Sequence, residues 1–138
     1  MLNRTLKDKI MSYISESLTA NSTFSSLETF GPNTEIPDAE TRSTGFITID
    51  IDEIGNRQYS LGSRGTRKVG HVVVTLFVRV GTGINLASEF KGFMDGIGLR
   101  RTNGITYKEP IEIAVPEKYK GWAPVSVALP YMLDNLAT

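Results

Sequence analysis

The stretch VGHVVVTLFVRVGTG, residues 69–83, decides how the rest of the chain reads. In an extended backbone Val72, Val74, Leu76, Val78 and Val80 fall on one side, and His71, Val73, Thr75, Phe77 and Arg79 on the other. One side is wholly apolar and the other mixed. A strand over 69–80 therefore buries one face and leaves the other partly covered. Gly81-Thr82-Gly83 ends it. A helix is predicted over 84–99, because Leu86, Phe90, Phe93, Met94 and Ile97 share one helical face. Gly92, Gly96 and Gly98 disfavour a helix interior, so its last turns are expected to fray or to press against another backbone.

Upstream, residues 46–54 alternate Phe46, Thr48, Asp50 and Asp52 against Ile47, Ile49 and Ile51, the pattern of a half-buried strand. Residues 53–57 read as a turn, 58–61 as a returning strand, and 62–65 as a glycine-containing loop tip. Residues 3–18 read as an amphipathic helix, with Leu6, Ile10, Ile14 and Leu18 in one stripe and Tyr13 beside it. Asn3 or Thr5 is the expected cap. Ser12, Ser15 and Ser17 lower its intrinsic helicity, so packing must supply most of its stability. Between the helix and the first strand, residues 19–45 carry no period and are rich in Ser, Thr, Asn, Gly and Pro. A polar loop this long tends to be functional or to be ordered only by a partner. Phe24, Leu27 and Phe30 are its expected apolar anchors.

Downstream, Ile105, Tyr107, Ile111, Ile113 and Val115 alternate again. After a turn over 116–121, a last strand over 122–131 places Val125, Val127, Leu129 and Tyr131 on one face. Pro110, Pro116, Pro124 and Pro130 cannot donate to a ladder, which points to strand ends or sheet edges. The order helix, loop, strands, helix, strands predicts one α+β domain spanning 1–138. It is an antiparallel or mixed β-sheet, with the N-terminal and central helices packed against one face.

Composition excludes several classes of chemistry. The 138 residues contain no Cys, so disulfides, thiolate metal sites and Cys nucleophiles are out. No apolar run approaches the roughly 18–20 residues of a membrane helix, and the first ten residues do not read as a signal peptide. The 15 Lys and Arg balance the 15 Asp and Glu, which argues against general nucleic-acid binding. The charge is nevertheless segregated. Glu28, Glu35, Asp38, Glu40, Asp50, Asp52 and Glu53 meet only Arg42 in their stretch, and Arg57, Arg64, Arg67 and Lys68 follow without an acid. An acidic arm before a basic loop can orient neighbours in a self-complementary oligomer, whereas plain solvated surface is the simpler reading.

No reactive constellation emerges. His71 is the single His and has no nucleophile signature beside it, so it reads as structural or surface. Asp50, Asp52 and Glu53 are the best metal candidates, but nothing supplies a phosphate-binding partner. Gly81-Thr82-Gly83 lacks the spacing of a dinucleotide loop. The basic run 64–68 near Tyr59 is thin support for nucleic-acid contact. Trp122 and Tyr119 read as core anchors ahead of interface anchors. No catalytic residue, cofactor or metal is expected.

The order of features from 60 to 131 carries a resemblance. A Gly precedes the long hydrophobic strand, and Gly81-Thr82-Gly83 leads into the helix of Leu86 to Ile97. The extended segment Ile105-Thr106-Tyr107-Lys108-Glu109-Pro110 follows. Lys120-Gly121-Trp122 then opens a strand ending Leu129-Pro130-Tyr131. This arrangement is similar to the tail terminator, or tail completion, proteins of long-tailed bacteriophages of the siphophage type. The resemblance implies a structural virion protein without catalysis. It implies a hexameric ring at the head-proximal end of the tail, assembled in the host cytoplasm. Such a ring caps the tail tube, ends its polymerisation and joins it to the head connector. Its partners are further copies of itself, the tube protein and the connector protein, with DNA passing through unspecifically. Arg64, Arg67 and Lys68 are the candidate contacts to a neighbouring subunit or tube protein. The nearest alternative is a head completion or connector adaptor protein of the phage neck. From another class comes a small metal-dependent phosphate-ester enzyme built on Asp50 and Asp52.

Overall fold

A computed structural model describes residues 4–32, 36, 45–57, 66–79, 84–102, 104–116 and 119–135. The chain runs α1 (Arg4–Ala20), β1 (Glu28–Phe30), β2 (Phe46–Arg57), β3 (Thr66–Arg79), α2 (Ile84–Ile97), β4 (Arg101–Thr102), β5 (Ile105–Tyr107), β6 (Ile111–Ile113) and β7 (Trp122–Asn135). The seven described strands form one sheet in the order β1-β2-β3-β7-β5-β4, with β6 also pairing β7. Among the described strands only β1 and β2 run parallel. The fold is α+β with a mixed sheet, as the sequence predicts.

The alternation of β3 organises the core. Val72, Val74, Leu76 and Val78 point into a cluster with Leu6, Ile10, Ile14 and Leu18 of α1 and with Phe90, Met94 and Ile97 of α2. Val127, Leu129 and Tyr131 of β7 join from the neighbouring strand. Both helices therefore lie on one face of the sheet. The stripe of α1 is at most 3% exposed at all four positions, so packing supplies its stability. Ser17 and Thr19 turn their hydroxyls back onto the carbonyls of Tyr13 and Ser15, at 2.8 and 2.9 Å. Such bonds let hydroxyl side chains sit in a helix without stranding a donor.

Residues 19–32 are more structured than the composition of 19–45 predicts. α1 continues to Ala20, and the Asn21 side chain then accepts from the amides of Thr23 and Phe24 at 2.9 and 3.3 Å. This turn drives Phe24 into the core against Phe90 and Phe93. Leu27 packs beside it and Phe30 reaches a second cluster, so all three expected anchors are used.

Several boundaries differ from expectation, each for a local reason. β2 continues through Arg57 and does not turn at 53–57, because a register shift between Glu53 and Gly55 absorbs the extra residue as a bulge. β3 begins at Thr66, so 66–68 are strand, while the predicted returning strand 58–61 and loop tip 62–65 lie outside the described residues. The segment 105–115 splits into two short strands. β7 extends to Asn135 and carries Pro124 and Pro130 well inside it. Its second side is covered only piecewise, by β6 at 126–128 and β5 at 131–133. Pro124 and Pro130 fall outside both stretches, where no N–H is demanded, and in the same phase of the β3 ladder.

The glycines of α2 part ways. A side chain at Gly92 or Gly96 would meet open space, so neither marks a close approach. Gly98 does: an added Cβ there would run into the Pro110 ring and lie 3.0 Å from the Lys108 carbonyl oxygen. The left-handed residue after the helix is Leu99, with φ of 55° and 73% exposure. Gly70 is the tightest position in the sheet. An added Cβ would collide with the Asp52 carbonyl oxygen and lie 2.5 Å from the Tyr131 hydroxyl.

Two outcomes follow for stability. Gly70→Ala destabilises the domain by about 1–3 kcal/mol or more, because the obstructing oxygen belongs to the backbone. Leu99→Gly relieves a left-handed conformation and raises stability by up to about 1 kcal/mol after the entropy of the added glycine. Urea titration of each variant against the parent measures both.

Candidate functional site

The helix-free face of the sheet is laid out in rows by the register of β2, β3 and β7. Phe46, Phe77 and Pro124 form one row, Thr48, Thr75 and Ser126 the next, then Asp50, Val73 and Ala128, and last Asp52, His71 and Pro130. The first row is capped by aromatics. Phe46 stacks on Phe77 at 4.7 Å and meets Trp122 edge-on at 5.2 Å, while Tyr119 packs on both phenylalanines. Arg79 lies 4.2 Å from the centre of the Trp122 ring, a cation over an aromatic face. Trp122 is fully buried, as a core anchor should be. In the second row Thr75 and Ser126 join their hydroxyls at 2.6 Å. Each satisfies the other in a buried position. The last row opens to solvent, where His71 Nε2 lies 3.2 Å from Asp52 Oδ2. The two side chains are 34% and 65% exposed, so the pair contributes little to stability.

The helix-covered side holds an open depression of about 350 Å³ between the ends of α1 and α2, lined by Tyr13, Asn21, Phe93, Ile97 and Arg100 among others. Tyr13 donates to the Ile97 carbonyl at 2.6 Å and stacks on Tyr107 at 4.5 Å. Arg100 Nε donates to the Gly96 carbonyl at 2.8 Å, closing the end of α2. Burial raises the Tyr13 hydroxyl above its ordinary pKa, partly offset by Arg100. Burial raises Tyr107 much further, with Tyr13 and Tyr131 adding to it. Among the described residues the Tyr107 hydroxyl meets no hydrogen-bond partner.

The residues singled out in the sequence scatter. Arg64 lies outside the described residues. Arg67 and Lys68 sit near the start of β3, where the register sets Arg67 beside Arg57 and Asp134, and Lys68 beside Asn56 and Leu133. Asp50 and Asp52 share the helix-free face and are both exposed. No group of three or more metal-capable side chains occurs among the described residues. Gly81-Thr82-Gly83 lies outside the described residues. No described helix is long and apolar enough to cross a membrane. What sequence reasoning missed is the far edge of the sheet. β4 has two residues and no period, and Leu99 before it looks like the tail of a helix.

No family model matches the chain. No curated protein matches it in sequence. A solved structure superposes on it with a TM-score of 0.64 at 13% identity, covering 100% of both chains. Its designation names no activity, ligand or assembly, so the likeness is one of fold.

The Tyr107 hydroxyl yields a direct test. Its folded-state pKa is raised, so the stability it confers is complete below the unfolded value near 10 and falls as pH rises beyond it. Tyr107→Phe removes an unpartnered buried hydroxyl and keeps the ring. It raises stability by about 1 kcal/mol at neutral pH and flattens the alkaline decline. Thermal melts between pH 7 and 11 measure both effects.

Proposed function

We propose that this chain is a structural protein that works by joining copies of itself into a ring, as a tail-terminator-like subunit of a bacteriophage. In this reading the ring caps the tail tube, ends its growth and offers a surface to the head connector. It needs no reactive group, because shape and self-association perform the task.

The observation that carries the reading is the length of the central strands against the helices. β2, β3 and β7 are 12, 14 and 14 residues long. At ~3.4 Å per residue a strand of that length reaches about 48 Å, whereas at ~1.5 Å per residue α1 and α2 cover only about 26 and 21 Å. The buried apolar residues of β3 begin at Val72. Residues 53–57, 66–69 and 132–135 thus form a three-stranded extension past most of the core. Such an extended end of a sheet can pair with or pack on a neighbouring molecule. Arg67 and Lys68, with Arg64, keep their place as contacts to the tube protein or a neighbouring subunit.

The test is assembly. Light scattering should find a multiple of 15.2 kDa that dissociates on dilution, and the ring should bind purified tail tubes. Binding to the portal side of heads would instead identify a neck adaptor. Arg67→Ala/Lys68→Ala should weaken tube or ring attachment at least ~10-fold with the melting temperature unchanged. A chain that stays monomeric at all concentrations and binds neither structure defeats the proposal.

A further inference from the structure

The sheet ends in two unlike edges. On one side β1 covers β2 only at residues 46–48, and among the described residues nothing pairs with 49–52 on that side. Every second one of these residues points its backbone donor and acceptor away from β3, beside the exposed carboxylates of Asp50 and Asp52. On the other side β4 is bonded to β5 and to no further described strand. This edge is basic: Arg101 and Lys108 are both exposed. It also carries Leu99, 73% exposed and held at φ of 55° immediately before β4.

The two edges match in which face they charge. Asp50 and Asp52 stand in register with Val73 and His71, on the helix-free face. Arg101 pairs with Thr106, and Thr106 with Met132. Met132 lies on the same side of β7 as Pro130, which pairs with His71. Lys108 is two residues beyond Thr106. Acid at one edge and base at the other therefore lie on a single face of one continuous sheet.

From this juxtaposition we infer that residues 49–52 of one copy pair, strand to strand, with β4 (Arg101–Thr102) of the next. Asp50 and Asp52 then meet the neighbour's Arg101 and Lys108, and Leu99 becomes buried at the seam. This inference rests on the ring reading and deepens it by naming the seam between subunits. The contact is head-to-tail, the kind that closes into a ring when the rotation per subunit permits. Unequal edges also prevent two copies from pairing through the same edge, since acid would face acid and base would face base. The exposed, left-handed Leu99 gains a role here: an apolar anchor held outward at the cost of local strain.

Charge exchange tests the seam. Asp50→Lys/Asp52→Lys makes both edges basic, and Arg101→Glu/Lys108→Glu makes both acidic. Each variant alone should remain folded by circular dichroism and need at least ~10-fold higher concentration to assemble. An equimolar mixture should restore assembly, because the two variants can alternate around a ring of even number. Leu99→Asn tolerates the same backbone conformation and removes the anchor, so it should weaken assembly without lowering the melting temperature. Light scattering over a concentration series reads all four samples. Assembly of either charge variant at parental strength, or a mixture no better than its components, overturns the seam and leaves the ring reading standing. A parent chain that never assembles overturns both.

Discussion

β3 is hydrogen-bonded on both sides along nearly its whole length, to β2 on one side and to β7 on the other. Every other feature depends on that double ladder. It fixes a strict alternation, because a slip of one residue would carry Val72, Val74, Leu76 and Val78 to the face without helices. The ladder also joins parts of the chain that are far apart in sequence. The β2–β3 hairpin is the more local half. Pairing of β3 with β7 closes a loop containing α2 and three short strands, and long loop closures of this kind slow folding. Gly70 and Tyr131 show how tightly the ladder is drawn: where β2 bulges, its carbonyl and the tyrosine hydroxyl occupy the space a side chain would need.

The two faces of the sheet solve different problems. The face under α1 and α2 is apolar, with an open depression between the helix ends. The opposite face grades from a sealed aromatic cluster around Trp122, through the buried Thr75–Ser126 hydroxyl pair, to the open His71–Asp52 pair. Along this face burial falls from the Trp122 end to the His71 end. Ile111, in register with Ala128 on that face, is 54% exposed and extends the apolar surface toward solvent.

What was legible in the sequence is what periodicity records. The two-sided character of β3, the stripe of α1, the apolar face of α2 and the anchors Phe24, Leu27 and Phe30 follow from which side chains need burial. Partners and register are not written locally, so nothing near β1 announces a parallel pairing across the stretch that follows it. Gly55-Asn56 reads as a turn because those residues favour turns, yet a bulge uses the same permissiveness. Pro124 and Pro130 argue for an edge, and β7 accommodates them because its second side is only partly covered. The sheet edges proposed as a seam were the least visible part. β4 is too short for a pattern, and a left-handed leucine after a helix has no local signature in the sequence.

The position of β7 has a consequence for synthesis. It lies between β3 and β5, and β4 reaches the sheet only by way of β5. Until residues 122–135 have been made and inserted, the basic border of the sheet has nothing to hang from. A nascent chain can form the acidic border early, from β2 and β3, but not the surface that border is proposed to recognise. Under the proposed seam, an incomplete chain lacks one of the two borders, so association waits for the last strand.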